Sequence, residues 1–261
     1  MLIRLLRTIC MAFAAYSRIP VPQVKWEERN AAYVICFYPL VGIAVGAAEA
    51  AVLWGAGRFA FPTPAAALLL LALPVLFSGG IHLDGLVDTA DARHSFLPPE
   101  EKQRILKDPH VGAFGVIRLL LYLMLVLAGL LLLLEKEESR QILYVYAFGI
   151  PVWSRICAAF AAVLLPKAKK EGMLHAVTAG AQKKQIALLL PPGVLTFAGL
   201  CISGPVRAAA LLAADLLLFL YFRRMVRKEF GGMSGDLAGW FLCMAEGAGI
   251  FVLVLVSLVM C

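Results

Sequence analysis

Crossing a bilayer takes about 20 mostly apolar residues in a helix, and the chain contains seven such stretches, approximately 31–54, 62–81, 113–134, 142–165, 186–204, 206–222 and 237–260. Short polar or Gly/Pro segments separate them, notably Gly55-Ala-Gly57, Glu135-Lys-Glu-Glu138, Pro166-Lys-Ala-Lys-Lys170 and Ser203-Gly-Pro205. Only a Ser-Gly-Pro turn divides the fifth stretch from the sixth, so those two read as a tight hairpin. The start, Met1-Leu-Ile-Arg-Leu-Leu-Arg7, mixes basic and apolar residues, and residues 2–16 read as an amphipathic helix lying in the membrane interface. Arg18, Pro20 and Pro22 interrupt it before any convincing cleavage site, against a signal peptide. The pattern predicts an all-α, polytopic integral membrane protein, with about seven transmembrane helices plus the N-terminal amphipathic helix. No soluble domain or internal repeat is visible, so residues 1–261 form a single membrane-embedded domain.

Composition points the same way. Hydrophobic residues make up 62% of the 261 and charged ones 16%, with a mean hydropathy of +0.86; soluble domains run at roughly 45–50% apolar and ~25% charged. The net charge of +7 would suggest nucleic acid in a soluble protein, but here the basic residues sort by loop. Nineteen of the 24 lysines and arginines lie in segments 1–30, 82–118, 166–185 and 223–236. Arg58, Lys136, Arg140 and Arg207 occupy the alternate loops, and Arg155 lies inside a span. Such a bias places the N-terminus and the first set of loops in the cytoplasm, and seven spans then leave Cys261 outside. No nucleic-acid partner is expected. The six cysteines are scattered without a C-x-x-C pair, so neither a zinc site nor a disulfide framework follows.

The segment after the second span carries the chemistry: Ser78-Gly-Gly-Ile-His82-Leu-Asp84-Gly-Leu-Val-Asp88-Thr-Ala-Asp91-Ala-Arg93. On a helix Asp84, Asp88 and Asp91 fall at i, i+4 and i+7 and share one face. Stacked like charges repel unless a divalent cation sits among them, and hard carboxylate donors with room for phosphate oxygens suit Mg²⁺. An acidic helix start favoured by the helix dipole is the plainer alternative, but three bare carboxylates would be badly placed beside lipid. Asp108, in Lys107-Asp108-Pro-His-Val-Gly112-Ala-Phe-Gly115, offers a fourth carboxylate, and the glycines allow backbone N–H groups to approach an anion. A second polar loop, Phe230-Gly-Gly-Met-Ser-Gly235-Asp236, opens the last span on the same side, with Glu246 deeper in that span. Gly231, Gly232, Gly235 and Asp236 read as a phosphate- or metal-approaching loop, or else as a flexible turn. Arg155 is either a phosphate contact or a salt-bridged arginine, and Glu49 and Asp215 read as packing or helix-pairing groups. The four histidines form no zinc-ligand pattern, and His82 stands out only for preceding Asp84.

Gly80-Ile-His82-Leu-Asp84-Gly-Leu-Val-Asp88-Thr-Ala-Asp91 with Lys107-Asp108 and Gly112-x-Phe-Gly115 closely resembles the hallmark of the cobalamin synthase, or adenosylcobinamide-GDP ribazoletransferase, family. Ser17-Arg-Ile-Pro-Val-Pro22, Tyr38-Pro-Leu-Val-Gly42, and Gly231-Gly-Met-Ser-Gly-Asp236 with Glu246 agree with it, so the resemblance covers nearly the whole chain. Ala92-Arg93 and the lysine-rich Lys167-Ala-Lys-Lys170 depart from it. The resemblance implies a Mg²⁺-dependent transferase of the inner membrane, its active site facing the cytoplasm. In it the 3′-hydroxyl of α-ribazole, or of its 5′-phosphate, attacks the phosphate attached to cobinamide in adenosylcobinamide-GDP, and GMP leaves. On this reading Asp84, Asp88, Asp91 and Asp108 hold the metal and carry catalysis, with Asp91 favoured as the base. Arg18, His82, Arg155, Gly231, Gly232, Gly235, Asp236 and Glu246 bind substrate, membrane lipids surround the chain, and self-association stays open. A CDP-alcohol phosphotransferase, whose longer D-x-x-D-G-x-x-A-R pattern is missing, and a transporter are the other readings.

Cysteines engineered into 136–140 and into 167–170 should label from opposite faces of the membrane. Labelling of both loops from one side would refute the orientation drawn from the basic residues.

Overall fold

The structure is a computed structural model that describes residues 2–136, 140–168 and 172–260. The Glu137-Glu138 turn, Lys169, Lys170 and Cys261 therefore lie outside the described residues. Among the described residues there are twelve α-helices and no strand beyond one isolated bridge. They are α1 (Leu2–Tyr16), α2 (Glu28–Ala31), α3 (Tyr38–Phe59), α4 (Thr63–Ser78), α5 (Ile81–His94), α6 (Pro99–Ile105), α7 (Ala113–Glu135), α8 (Arg140–Leu164), α9 (Met173–Thr178), α10 (Gln182–Ser203), α11 (Pro205–Glu229) and α12 (Gly235–Val259). A short 3₁₀ turn, Val34–Phe37, leads into α3.

Six segments are long and apolar enough to cross a membrane: Val34–Phe59, Ala113–Glu135, Gln141–Leu164, Gln182–Ser203, Pro205–Glu229 and Gly235–Val259. The expected second span, 62–81, differs. Its helix α4 stops at Ser78 after 16 residues, and the chain turns through 90° into α5. At ~1.5 Å per residue α4 is about 24 Å long, short of the ~30 Å hydrocarbon layer. It nevertheless returns the chain across the bundle, because the Tyr38 hydroxyl at the start of α3 lies 3.1 Å from His82 Nε2 at the start of α5. The turn is made by Gly79 (φ 64°) and Gly80 (φ 85°), left-handed conformations that a side chain would strain.

α3 and α8 meet backbone to backbone. A β-carbon on Gly42 would collide with the Pro151 carbonyl, and one on Gly46 with the Phe148 carbonyl. Between helices that cannot rely on the hydrophobic effect inside lipid, such small-residue contacts supply the packing. Trp153 of α8 donates its indole N–H to Asp215 of α11 at 2.7 Å, so Asp215 does the helix-pairing work read from the sequence.

One end of the bundle gathers the starts of α3, α7 and α12 and the ends of α8 and α11. Arg93 of α5 pairs with Glu229 at the end of α11, Asp91 of α5 with the start of α7, and Lys167 after α8 bridges to Met233 before α12. Arg18 donates its backbone N–H to the Phe77 carbonyl near the end of α4, so the described parts of the four loop segments that carry most of the basic residues share one face.

Gly46→Val should force α3 and α8 apart. Overpacking of this kind costs about 1–3 kcal/mol, to be read as a lower melting temperature in detergent; an unchanged melting temperature would show that the contact tolerates a side chain.

Candidate active site

The site is built on α5 after the bend. Gly85 lies directly on the first turn of α12, where a β-carbon would collide with the Asp236 backbone, and a β-carbon on Gly239 would stand 3.1 Å from His82 Cα. These two glycines let the helices touch and bring the Asp236 end of the glycine loop beside the aspartates of α5. Asp84 is exposed and Asp88 partly buried. The Asp88 carboxyl is pushed up from its ordinary 3.8 to about 7, first by burial and then by the charges of Asp84, Asp236 and Asp91. Like charges therefore meet here.

Asp91 shares the face but does different work. Its two carboxylate oxygens accept the backbone N–H groups of Gly112 and Gly115, each at 2.8 Å. A β-carbon at either glycine would overlap this carboxylate. The anion approached by the glycines of the 108–115 turn is thus Asp91 itself, placed at the positive end of the α7 dipole. Asp108 is about half exposed and its Oδ1 accepts both the backbone N–H and the ring Nδ1 of His110, which hold its pKa below the usual range. Among the described residues no three His, Cys, Asp or Glu side chains converge as a ready-made metal cage. The set of four expected from the sequence separates accordingly: Asp84 and Asp88 stay together, while Asp91 and Asp108 are engaged elsewhere.

The glycine loop also divides its tasks. Gly231 takes a left-handed φ of 67°. Gly232 packs on the backbone of Lys167 and Ala168, leaving no room for a side chain, and Met233 exchanges hydrogen bonds with Pro166 and Ala168. Gly235 has open space at its α-carbon. Ser234 caps α12, its hydroxyl accepting the Leu237 N–H at 3.2 Å, so Asp236 is not the cap.

Arg18 lies over the bend, its side chain filling the space above Gly79 and its N–H donating to the Phe77 carbonyl. Arg18 is exposed and makes no ion pair among the described residues. Arg155 is different: it is 1% exposed and pairs with Glu246 at 2.8 Å, donating also to the Pro151 carbonyl. The salt-bridged reading holds, and neither Arg155 nor Glu246 reaches the carboxylate face. His82 is likewise buried, facing Tyr38. Glu246, His82 and Glu49 line a cavity of about 100 Å³ behind α5 that is walled mostly by leucines, valines and isoleucines. The place of Glu49 on that wall, the Ser234 cap, and the pairing of Arg93 with Glu229 were not read from the sequence. Two left a signal, a serine just ahead of an apolar run and the unusual Ala92-Arg93.

Because folded Asp88 keeps its proton to about pH 7 and the unfolded chain releases it near 4, stability should fall as pH rises through that window. Asp88→Asn should therefore melt above the parent at pH 8 in the absence of divalent cations, with the gap closing at pH 5. An equal melting temperature at pH 8 would mean that Asp88 is not crowded by its neighbours.

Residues 8–255 match the family described as cobalamin-5-phosphate synthase. The chain is 34% identical over 251 residues to the adenosylcobinamide-GDP ribazoletransferase of Lachnoclostridium phytofermentans, covering 95% of this chain and 94% of that one. It is 33% identical to the enzyme of the same name from Clostridium perfringens, covering 95% and 97%, and 34% identical to that of Desulfitobacterium hafniense, covering 92% and 94%. No solved structure matches. A match that runs from within α1 to within α12 takes in both helices of the aspartate cluster, and the chain belongs to the cobalamin-5-phosphate synthase family.

Proposed function

We propose that this chain is an adenosylcobinamide-GDP ribazoletransferase, the activity named in its relatives, and that the reaction takes place at Asp84, Asp88 and Asp236. A hydroxyl oxygen of ribazole, or of its 5′-phosphate, forms a bond to the phosphorus next to cobinamide. The bond from that phosphorus to the GMP oxygen breaks, GMP leaves with the electron pair, and the hydroxyl proton is taken up within the carboxylate cluster. Family membership sets this reading above the CDP-alcohol phosphotransferase and transporter readings. The observation that carries it is the meeting of α5 and α12 through Gly85, which gathers carboxylates from two helices around a partly buried, charge-crowded Asp88.

The donor set fits Mg²⁺, which accepts one or two carboxylates and completes its shell with water and substrate phosphate oxygens. Asp84 and Asp88, with Asp236 opposite, would hold it; when bound it supplies neutralisation of the phosphate charge and orients the reacting groups. Arg18, over the bend and without an ion pair among the described residues, is placed to meet the diphosphate of the GDP moiety. Asp91 fixes the start of α7 and so positions the cluster without touching substrate. With the basic loops gathered at this end, the site faces the cytoplasm, where a nucleotide substrate is available.

The test is release of GMP and formation of the cobamide by purified protein given adenosylcobinamide-GDP, α-ribazole phosphate and Mg²⁺. No GMP release from well-folded protein would overturn the reading, as would full activity in excess chelator for the metal. Asp84→Asn should lose at least ~10²-fold in turnover with an unchanged melting temperature. Asp91→Asn should lose stability as well, by about 1–3 kcal/mol, because an amide places a donor against one of two backbone N–H groups. The reverse pattern would return Asp91 to the chemistry.

A further inference from the structure

Behind the far end of α5 lies a basic pocket that the transfer reaction does not use. Arg93, Lys102 of α6 and Arg118 of α7 converge there with His94, Phe96 and Glu229 around a pocket of about 460 Å³. Glu229 accepts from both Arg93, at 3.1 and 3.3 Å, and Lys102, at 3.3 Å, and so holds two cations side by side. Lys102 is a built part of this site, only 7% exposed. Arg118 is exposed and has no ion pair among the described residues. Three permanent cations against one carboxylate leave an excess of positive charge directed into the pocket. On α5, Arg93 is five residues past Asp88 and nine past Asp84, which turns it away from the carboxylate face by about 140–180°.

The pocket's depth identifies the kind of anion. Arg118 is the sixth residue of the membrane-crossing α7, about 7.5 Å along its axis, and Glu229 is the last residue of the membrane-crossing α11. Both helices carry exposed apolar side chains, Ile117 and Leu121 on α7 within a turn of Arg118, and Leu217 and Leu220 on α11 about 14–18 Å deeper than Glu229. Phe96, at the mouth, is 89% exposed with φ 55°, an apolar ring held outward. We propose that this pocket binds the phosphate of an anionic phospholipid headgroup, with the acyl chains lying along α7 and α11. Basic pockets between spanning helices at the membrane face suit such headgroups, and Arg93, Lys102 and Arg118 supply charge-assisted donors to phosphate oxygens. A soluble phosphate shares this chemistry but would not call for flanking lipid-facing helices.

Native mass spectrometry of the full chain in detergent micelles, titrated with phosphatidylglycerol or phosphatidylcholine, tests this without reference to turnover. Phosphatidylglycerol should bind at least ~10-fold more tightly than phosphatidylcholine. Arg118→Gln should weaken it about fivefold, the effect of one basic residue at an anionic surface, and Arg118→Lys should restore most of the binding. Arg4→Gln, on the amphipathic helix, should leave it unchanged. Equal binding of the two lipids, or an Arg118→Gln variant that binds phosphatidylglycerol as the parent does, would overturn the proposal. Displacement of the lipid by millimolar inorganic phosphate or GMP in an Arg118-dependent manner would reassign the pocket to a soluble phosphate and overturn it equally.

Discussion

A carboxylate in hydrocarbon costs several kcal/mol, and this chain places three of them within eight residues directly after an apolar helix. The right-angle turn at Gly79 and Gly80 answers this at the end of the bundle. It ends α4 at Ser78 and redirects the chain, so that Asp84, Asp88 and Asp91 lie on a helix packed against α7 and α12. Every other contact of the site depends on that turn. Arg18 can cover it because Gly79 has no side chain, and the His82–Tyr38 contact anchors the new helix to the start of α3. Gly85 and Gly239 then allow α12 to close against it.

The second constraint is electrostatic, and it distributes the acidic groups by task. Glu246 answers the buried Arg155, Glu229 answers Arg93 and Lys102, and Asp91 answers two backbone N–H groups at the start of α7. These are charge-assisted bonds that hold helices together across the bundle. Among the described residues neither Asp84 nor Asp88 forms an ion pair, and the charges of Asp84, Asp236 and Asp91 all press on Asp88. Crowded carboxylates of this kind are the electrostatic condition for a site that handles cations and phosphates.

Hydrophobic runs and the alternation of basic loops were enough to predict the helices and the end of the bundle where polar groups collect, because both depend only on composition along the chain. The i, i+4, i+7 spacing likewise placed the three aspartates on one face. Partners could not be read the same way. Asp91 resembles Asp84 and Asp88 in sequence, yet its neighbour is the glycine-rich start of a helix 21 residues on. Arg155 and Glu246 sit 91 residues apart and become a pair only when α8 meets α12. The second span was expected to run straight through 81, since a turn made by two glycines leaves the hydropathy pattern undisturbed.

One consequence of the fold is that α5 acts as a partition. His82 and Asp84 are two residues apart, about 200° around the helix, and they look into different environments. Asp84 is exposed on the polar side, whereas His82 lines the apolar cavity with Glu49 and Glu246. A polar substrate on the carboxylate face is therefore separated from that cavity by the thickness of a helix that is glued to α12 along its glycine contacts and to α7 through Asp91. The partition keeps the charged cluster at the membrane face while the rest of the bundle remains apolar enough for lipid. It also explains why the side chains of the H-x-D-G-x-x-D-x-x-D string divide so sharply. The histidine secures the helix from behind, the glycine admits α12, the last aspartate fixes α7, and the two remaining carboxylates are left facing outward.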